Sequence, residues 1–200
     1  MLNARESFGG GEIRMIFVTS DTHFCHDSPT IWKNRGFSSL EAMNEALVKR
    51  WNKIVKKTDT VYHLGDVIVS DNKKDYEYLK RLNGKIILMI GNHDTDARIK
   101  LMFSELGSKI SGGEYATRFK FNKTPFYVSH FPTIASKIDG KQFSQHIIGL
   151  HGHIHNKTHW IDPQNPFMYD AGVDSHNFAP VSLDEVVANI KQKWEKMVEK

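Results

Sequence analysis

Two stretches of the chain carry apolar residues at helical spacing. Ser38 and Glu41 precede the first stretch at the spacing of a capping box, and Ser182 and Glu185 precede the second in the same way. The apolar positions are Leu40, Met43, Leu47, Trp51 and Ile54 in the first, and Val186, Ile190, Trp194 and Met197 in the second. This pattern predicts two amphipathic helices whose apolar faces belong to the core.

Five short apolar runs predict β-strands. They cover residues 16–18, 61–64, 86–90, 126–128 and 147–148, and two shorter helical patterns at 76–82 and 97–106 fall between or after the early runs. Strands that alternate with helices indicate βαβ units with a largely parallel sheet. From residue 115 polar and apolar residues alternate around a turn at 122–124, so the second half is expected to be more antiparallel.

The chain of 200 residues shows no internal repeat and no linker, which predicts one domain over residues 15–200. Residues 1–14 contain three consecutive glycines and predict a flexible N-terminal tail.

The net charge of +4 comes from scattered lysines, so a nucleic-acid partner is possible but not favoured. Cys25 is the single cysteine, which excludes an intrachain disulfide. No apolar run approaches the roughly 20 residues that span a membrane, so a cytoplasmic location is expected.

Each of the five apolar runs is followed by residues that can bind a metal. Asp21 and His23 follow the first run at positions i and i+2, where both side chains can leave the strand on one face. Asp66 follows Gly65 after the second run, and a carboxylate with two oxygens can bridge two ions. Taken singly, each of these residues is more typical of a turn, a helix cap or a packed histidine.

The remaining runs are followed by further ligand types. The third precedes Gly91-Asn92-His93-Asp94, in which Asn92 offers a carbonyl oxygen, His93 a proton donor and Asp94 a partner that orients the His93 ring. The last two runs are followed by His130 and by His153 and His155. Strand ends of an open α/β sheet meet at one edge, so these side chains are expected to converge there.

Taken in order, these motifs resemble those of the calcineurin-like metallophosphoesterase superfamily. The blocks are Asp21-Thr22-His23, Gly65-Asp66, Gly91-Asn92-His93-Asp94, His130 and Gly152-His153-Ile154-His155. Residues 171–174 and 180–185 are similar to the end of a small, compact bacterial and phage branch of that superfamily. The resemblance implies an α/β fold, a four-layer α/β/β/α sandwich of mixed sheets flanked by helices.

The resemblance also implies two divalent metal ions. Their ligand sets would be Asp21, His23, Asp66 and His155 for one ion, and Asp66, Asn92, His130 and His153 for the other. His93 would act on the substrate. Carboxylate, amide and imidazole ligands favour manganese, with iron, nickel or zinc also suitable.

The implied activity is hydrolysis of a phosphate ester by in-line attack of a metal-bridging hydroxide. A phosphodiester is the preferred substrate class, and a nucleotide is one candidate. His26 and Arg35 lie in the loop after the first ligand pair and are expected to touch substrate oxygens. A phosphomonoesterase, a nuclease and a non-enzymatic protein-binding scaffold of the same fold stay open as alternatives. The sequence leaves the physiological substrate, the native metals and the oligomeric state open.

Overall fold

The computed structural model describes residues 14–133, 142–157 and 165–199, so all of the predicted N-terminal tail except Arg14 lies outside the described residues. Within these residues, nine strands form two sheets. The strands are β1 (Ile16–Thr19), β2 (Thr60–His63), β3 (Lys85–Met89), β4 (Ile110–Glu114), β5 (Ala116–Phe121), β6 (Thr124–Ser129), β7 (Ile148–His151), β8 (Met168–Asp170) and β9 (Val181–Ser182). The first sheet has the order β4-β3-β2-β1-β9 and the second has the order β5-β6-β7-β8.

The first sheet is parallel except for its last strand. Strands β1 to β4 run in one direction, and β9 pairs antiparallel with β1. Thr19 at the end of β1 lies opposite His63 at the end of β2, and His63 lies opposite Leu88 of β3. This register aligns the carboxyl ends of three strands, where the predicted ligands follow.

The second sheet begins with the predicted hairpin. β5 and β6 pair antiparallel, and Asn122 and Lys123 make the turn with left-handed backbone angles of 48° and 68°. The expectation of a more antiparallel second half is wrong beyond this hairpin, because β6, β7 and β8 are parallel. The segments between these strands are long enough for crossovers, which parallel pairing requires.

In the described part of the chain, five α-helices accompany the sheets: α1 (Pro29–Trp32), α2 (Leu40–Ile54), α3 (Glu77–Lys80), α4 (Asp96–Leu106) and α5 (Leu183–Val198). The predicted capping box at Ser38 is off by one residue, since the Ser39 hydroxyl accepts from Ala42 N at 3.0 Å and caps α2. Ser182 caps α5 as predicted, accepting from Glu185 N at 3.2 Å. The helix predicted at 76–82 is shorter, with a 3₁₀ turn over Lys73–Tyr76 leading into α3.

Two apolar clusters hold the layers together. The first packs Met43, Leu47 and Trp51 of α2 onto one face of the first sheet, and the second fills the space between the sheets and reaches Val186 and Ile190 of α5. Each fully buried side chain of this size contributes about 1.5–3 kcal/mol.

Two positions of the predicted apolar faces depart from the core. Ile54 and Met197, near the carboxyl ends of α2 and α5, are 40% and 47% exposed. No helix among the described residues is long and apolar enough to cross a membrane. The mixed sheets flanked by helices confirm the α/β sandwich predicted from the sequence.

Candidate metal and catalytic site

The candidate site lies where the carboxyl ends of strands from both sheets meet. Asp21, Asp66 and Asn92 follow β1, β2 and β3 of the first sheet, while His130 and His153 follow β6 and β7 of the second. The predicted runs are therefore divided between two sheets and do not share one. The sandwich still brings their ends together, and the His153 N–H donates to Asp21 Oδ2 at 2.9 Å across the gap.

The backbone turns sharply at the ligand positions. The residues with left-handed φ angles there are Asp21 (57°), His23 (49°), Asp66 (54°), His153 (70°) and His155 (45°). Such angles are uncommon for residues other than glycine and are frequent at functional sites. Asp21 and His23, two residues apart, both contribute ligand atoms to one cluster.

The first cluster contains Asp21, His23 and His155. The Nε2 atoms of the two histidines are 3.2 Å apart, and Asp21 Oδ1 lies 3.9 Å from His23 Nε2 and 4.0 Å from His155 Nε2. Asp21 Oδ1 is buried without a hydrogen-bond donor. Burial raises the pKa of Asp21 to about 6, and His130 and His155 act against that rise. Burial lowers the pKa of His23, which leaves a neutral imidazole with a free lone pair.

The second cluster contains Asn92, His130 and His153. Asn92 Oδ1 lies 2.8 Å from His130 Nε2 and 2.9 Å from His153 Nδ1, and the two nitrogens are 3.2 Å apart. His130 Nδ1 lies 2.9 Å from the Leu64 carbonyl oxygen, so this nitrogen carries the proton. His130 Nε2 is then the atom with a lone pair directed at Asn92.

Asp66 stands between the two clusters. Its Oδ2 atom lies 3.6 Å from His23 Nε2 and 3.5 Å from His130 Nε2. Its Oδ1 atom accepts from the His93 N–H at 2.8 Å, which fixes the orientation of the carboxylate. One oxygen of Asp66 therefore faces both clusters at nearly equal distances.

The donor set fits divalent metal ions. Pairs of ring nitrogens approach within hydrogen-bond distance in each cluster, and one buried carboxylate oxygen of Asp21 has no donor. Lone pairs that converge in this way are stabilised by a cation, and mixed oxygen and nitrogen ligands suit first-row transition ions. Asp21, His23 and His155, and likewise Asp21, Asp66 and His130, place their ligand atoms within 4.8 Å of one another.

Two glycines leave room for these side chains. A Cβ atom on Gly91 would lie 2.2 Å from Asp66 Oδ1, and one on Gly152 would lie 2.3 Å from Asp21 Oδ2. Both distances are shorter than any ordinary contact of a Cβ atom. The glycines that precede Asn92 and His153 in the sequence motifs therefore allow the carboxylates to approach the backbone closely.

Arg35 lies behind the site. Its guanidinium donates to both carboxylate oxygens of Asp174 at 2.8 Å and to the backbone carbonyls of Asp21 and Thr22. Its side chain is only 3% exposed. The substrate contact expected for Arg35 from the sequence does not match this position, because its donors are directed at protein acceptors.

Asp174 joins Arg35 to the first cluster. Asp174 Oδ2 lies 2.9 Å from His155 Nδ1, so the carboxylate orients the His155 ring. Burial alone would raise the pKa of Asp174, but the His155 and Arg35 partners outweigh it and hold the pKa at about 2. Sequence reasoning assigned Asp174 no role in the site. The resemblance of residues 171–174 to the end of one branch was the only signal for it.

Asp94 also differs from its expected role. Its carboxylate accepts from the backbone N–H groups of Asp66, Val67 and Gly91 at 2.7, 3.1 and 2.8 Å, and no hydrogen bond to the His93 ring is present among the described residues. Burial raises the pKa of Asp94, although these three donors oppose the rise. Asp94 thus stabilises the turn that carries Asp66 and does not set the tautomer of His93.

Three aromatic rings border the clusters. The His93 ring centroid lies 5.2 Å from that of His23 and 5.5 Å from that of His26. Burial lowers the pKa of His26, and the neighbouring His93 adds to this effect. On the other side Phe131 is 47% exposed and contacts the His130 and His153 rings edge to face.

A sandwich of two mixed sheets whose strand ends gather carboxylate, amide and imidazole side chains defines an α/β protein with a candidate metal site. The chain matches the model of the calcineurin-like phosphoesterase family over residues 15–194 and belongs to that family. Members of the family hydrolyse phosphate esters and bind divalent metals, and the two clusters supply candidate ligands.

Individual proteins also resemble this chain over most of its length. An uncharacterised protein of Methanocaldococcus jannaschii is 36% identical over 187 residues, which cover 90% of this chain and 93% of that protein. The Gene 66 protein of Mycobacterium phage D29 is 25% identical over 198 residues, which cover 86% of this chain and 93% of that protein. The crystal structure of a protein of unknown function from Aquifex aeolicus matches this chain with a TM-score of 0.62 and 23% sequence identity. The match covers 86% of this chain and 97% of that chain. The last likeness concerns the fold alone.

Proposed function

We propose that this chain is a phosphodiesterase that depends on two divalent ions. One ion would be held by Asp21, His23, Asp66 and His155, and the other by Asp66, Asn92, His130 and His153. The position of Asp66 Oδ2 carries the proposal, because it lies 3.6 Å from a nitrogen of one cluster and 3.5 Å from a nitrogen of the other. A carboxylate so placed suits a ligand shared by two ions. Manganese is the preferred metal, and iron, nickel and zinc suit the same ligands.

Bound divalent ions would supply positive charge for the phosphoryl oxygens and would activate water as the nucleophile. Asp66 would set the spacing between the two clusters through its fixed carboxylate. Asp94 holds the turn of Asp66 through three backbone hydrogen bonds, which limits movement of that carboxylate. These residues would keep the phosphorus atom in line with the attacking water.

His93 would transfer a proton to the leaving alcohol oxygen. Its backbone N–H is bonded to Asp66, while its ring borders the first cluster beside His26 without lying inside either cluster. A ring at the edge of the site can contact substrate because it is not needed as a ligand. His26 would contact a substrate oxygen from the same side, and Arg35 would position His155 through Asp174.

The arginines near the site favour a diester over a monoester. Arg35 is paired with Asp174, and Arg98 donates to Asp71 and to the His93 carbonyl oxygen. A terminal phosphate carries two negative charges and is typically bound by free guanidinium groups, whereas a diester carries one. The two guanidinium groups bonded to residues of the site are already committed to protein acceptors.

A comparison of two chromogenic substrates tests the proposal. We expect the protein loaded with manganese to hydrolyse bis-p-nitrophenyl phosphate faster than p-nitrophenyl phosphate, and chelation to abolish both activities. Metal analysis should give two ions per chain, and Asp66→Asn should lose metal together with activity. Preference for the monoester would identify a phosphomonoesterase. An Asp66→Asn variant that retains both metals and full activity would refute the shared-ligand assignment.

A further inference from the structure

A cavity of about 590 Å³ opens beside His26. Its walls come from the loop after the first ligand pair, from the first turns of α2 and from residues that follow β2. The His26 ring that borders it lies 5.3 Å from the His23 ring and 5.5 Å from the His93 ring, centroid to centroid. The volume falls within the range of small-molecule sites, roughly 300–1,000 Å³. The His26 ring therefore lies between this cavity and the His23 ring of the first cluster.

The charged side chains of this cavity are all acidic. Asp27, Glu41 and Asp75 line it, and the described lining residues include no lysine and no arginine. The Asp75 carboxylate accepts from the Ser70 hydroxyl at 2.5 Å, which orients it without neutralising its charge. Asp27 and Glu41 form no ion pair within the described part of the chain. Glu41 also lies in the first turn of α2, where the helix dipole stabilises its charge.

Apolar and neutral polar groups complete the walls. Leu40 and Val69 add apolar surface, and Asn44 and Tyr78 add an amide and a phenol. Asn44 is 98% buried by the fold and is held by the Cys25 N–H, which donates to Asn44 Oδ1 at 3.1 Å. Such walls suit a short carbon skeleton that carries hydroxyl or ammonium groups, because these groups donate hydrogen bonds to carboxylates.

We infer that this cavity receives the second alcohol of the phosphodiester and that this alcohol is a polyol or an amino alcohol. The inference rests on the proposed phosphodiesterase function and narrows its substrate class. A second anionic group, as in a nucleoside polyphosphate or a nucleic-acid strand, would face unpaired carboxylates without a compensating cation. Repulsion between these carboxylates and a second anionic group would weaken binding of such a substrate.

Three matched substrates test the inference. They are p-nitrophenyl phosphodiesters whose second alcohol is choline, glycerol or glycolate, so that the added charge is positive, zero or negative. The values of kcat/KM are measured at low ionic strength on the metal-loaded protein and are divided by each ester's rate of alkaline hydrolysis without protein. We expect the choline and glycerol esters to exceed the glycolate ester by roughly tenfold or more.

Variants assign the preference to the cavity. Changing both Asp27→Asn and Glu41→Gln should reduce the ratio of choline to glycolate ester by about threefold or more, since two facing charges are removed. Glu45→Gln is the matched control, because Glu45 lies one helical turn further along α2, pairs with Arg81 and does not line the cavity. It should leave the ratio unchanged.

The outcomes separate the inference from the proposed function. Hydrolysis of all three esters at equal normalised rates, or a ratio that the double variant leaves unchanged, overturns the assignment of the cavity while the phosphodiesterase stands. A preference for the glycolate ester overturns it as well. If neither these esters nor bis-p-nitrophenyl phosphate is hydrolysed with any of the four metals, the proposed function itself is wrong.

Discussion

Replacement of Gly91 by alanine tests how tightly the fold holds the Asp66 carboxylate. The added Cβ atom would lie 2.2 Å from Asp66 Oδ1 and 2.5 Å from Asp66 N, where ordinary contacts begin at 3.4 Å. The carboxylate and its backbone must therefore move by about 1 Å, and catalytic sites lose activity by about 100-fold on such displacements. Overpacking of this kind also costs about 1–3 kcal/mol of stability. We expect Gly91→Ala to stay folded, to bind manganese more weakly and to lose about 100-fold in kcat/KM.

Gly149→Ala is the matched control for this prediction. A Cβ atom there would lie 3.4 Å from the Thr133 carbonyl oxygen and 3.9 Å from that of Phe167, which are ordinary contacts. Manganese affinity is measured by calorimetry, hydrolysis with bis-p-nitrophenyl phosphate, and stability by urea unfolding. If Gly91→Ala binds two manganese ions and turns over substrate as well as Gly149→Ala does, then the close approach of Gly91 to Asp66 does not position the carboxylate and the reasoning is wrong.

Three further predictions concern groups around the site. Asp174→Asn should weaken manganese binding by about 10- to 100-fold because His155 loses its charged partner. Asp170→Asn is the control and should leave manganese affinity unchanged. Equal manganese affinities of the two variants in calorimetry would contradict this prediction. Burial holds the pKa of His63 at about 3, below its unfolded value of 6.5, so this neutral histidine stabilises the fold above pH 6.5 and the contribution is lost as pH falls from 6.5 toward 3. The free energy of unfolding is measured with urea at several pH values in the presence of a chelator. Its slope against pH should be shallower in His63→Gln by up to about 1.4 kcal/mol per pH unit, and identical slopes in the two proteins would refute this prediction. Burial, with a smaller effect from Asp75, raises the pKa of Cys25 to about 12, so alkylation by iodoacetamide at mildly alkaline pH should be slower than in the unfolded chain by on the order of a hundredfold; comparable rates would show an accessible thiolate.

Local pattern was sufficient to predict most elements of this fold. The apolar runs before Asp21, Asp66 and Asn92 became β1, β2 and β3, because alternating strands and helices permit few arrangements. The helix start at Ser38 was misplaced because Ser38 and Ser39 are equally good caps in isolation.

Long-range partners of polar side chains were beyond the reach of sequence spacing. Arg35 and Asp174 are 139 residues apart in the chain, so nothing local shows that the guanidinium is used within the fold. Asp94 lies beside His93 in sequence, yet its carboxylate turns back to the Asp66 turn, 28 residues earlier. A motif therefore predicts which residue types gather at a site, whereas the partner of each donor depends on the packed structure.

The split of the ligands between two sheets couples the site to the assembly of the whole domain. His23 and His155 come within 3.2 Å although 132 residues separate them, and each cluster takes side chains from both sheets. An ion that binds only the folded chain adds RT ln(1 + [ion]/Kd) to its stability, about 2.7 kcal/mol at a hundredfold excess over Kd. Because the two sheets must be docked before either set of candidate ligands comes together, a bound ion would also stabilise the packing of one sheet against the other.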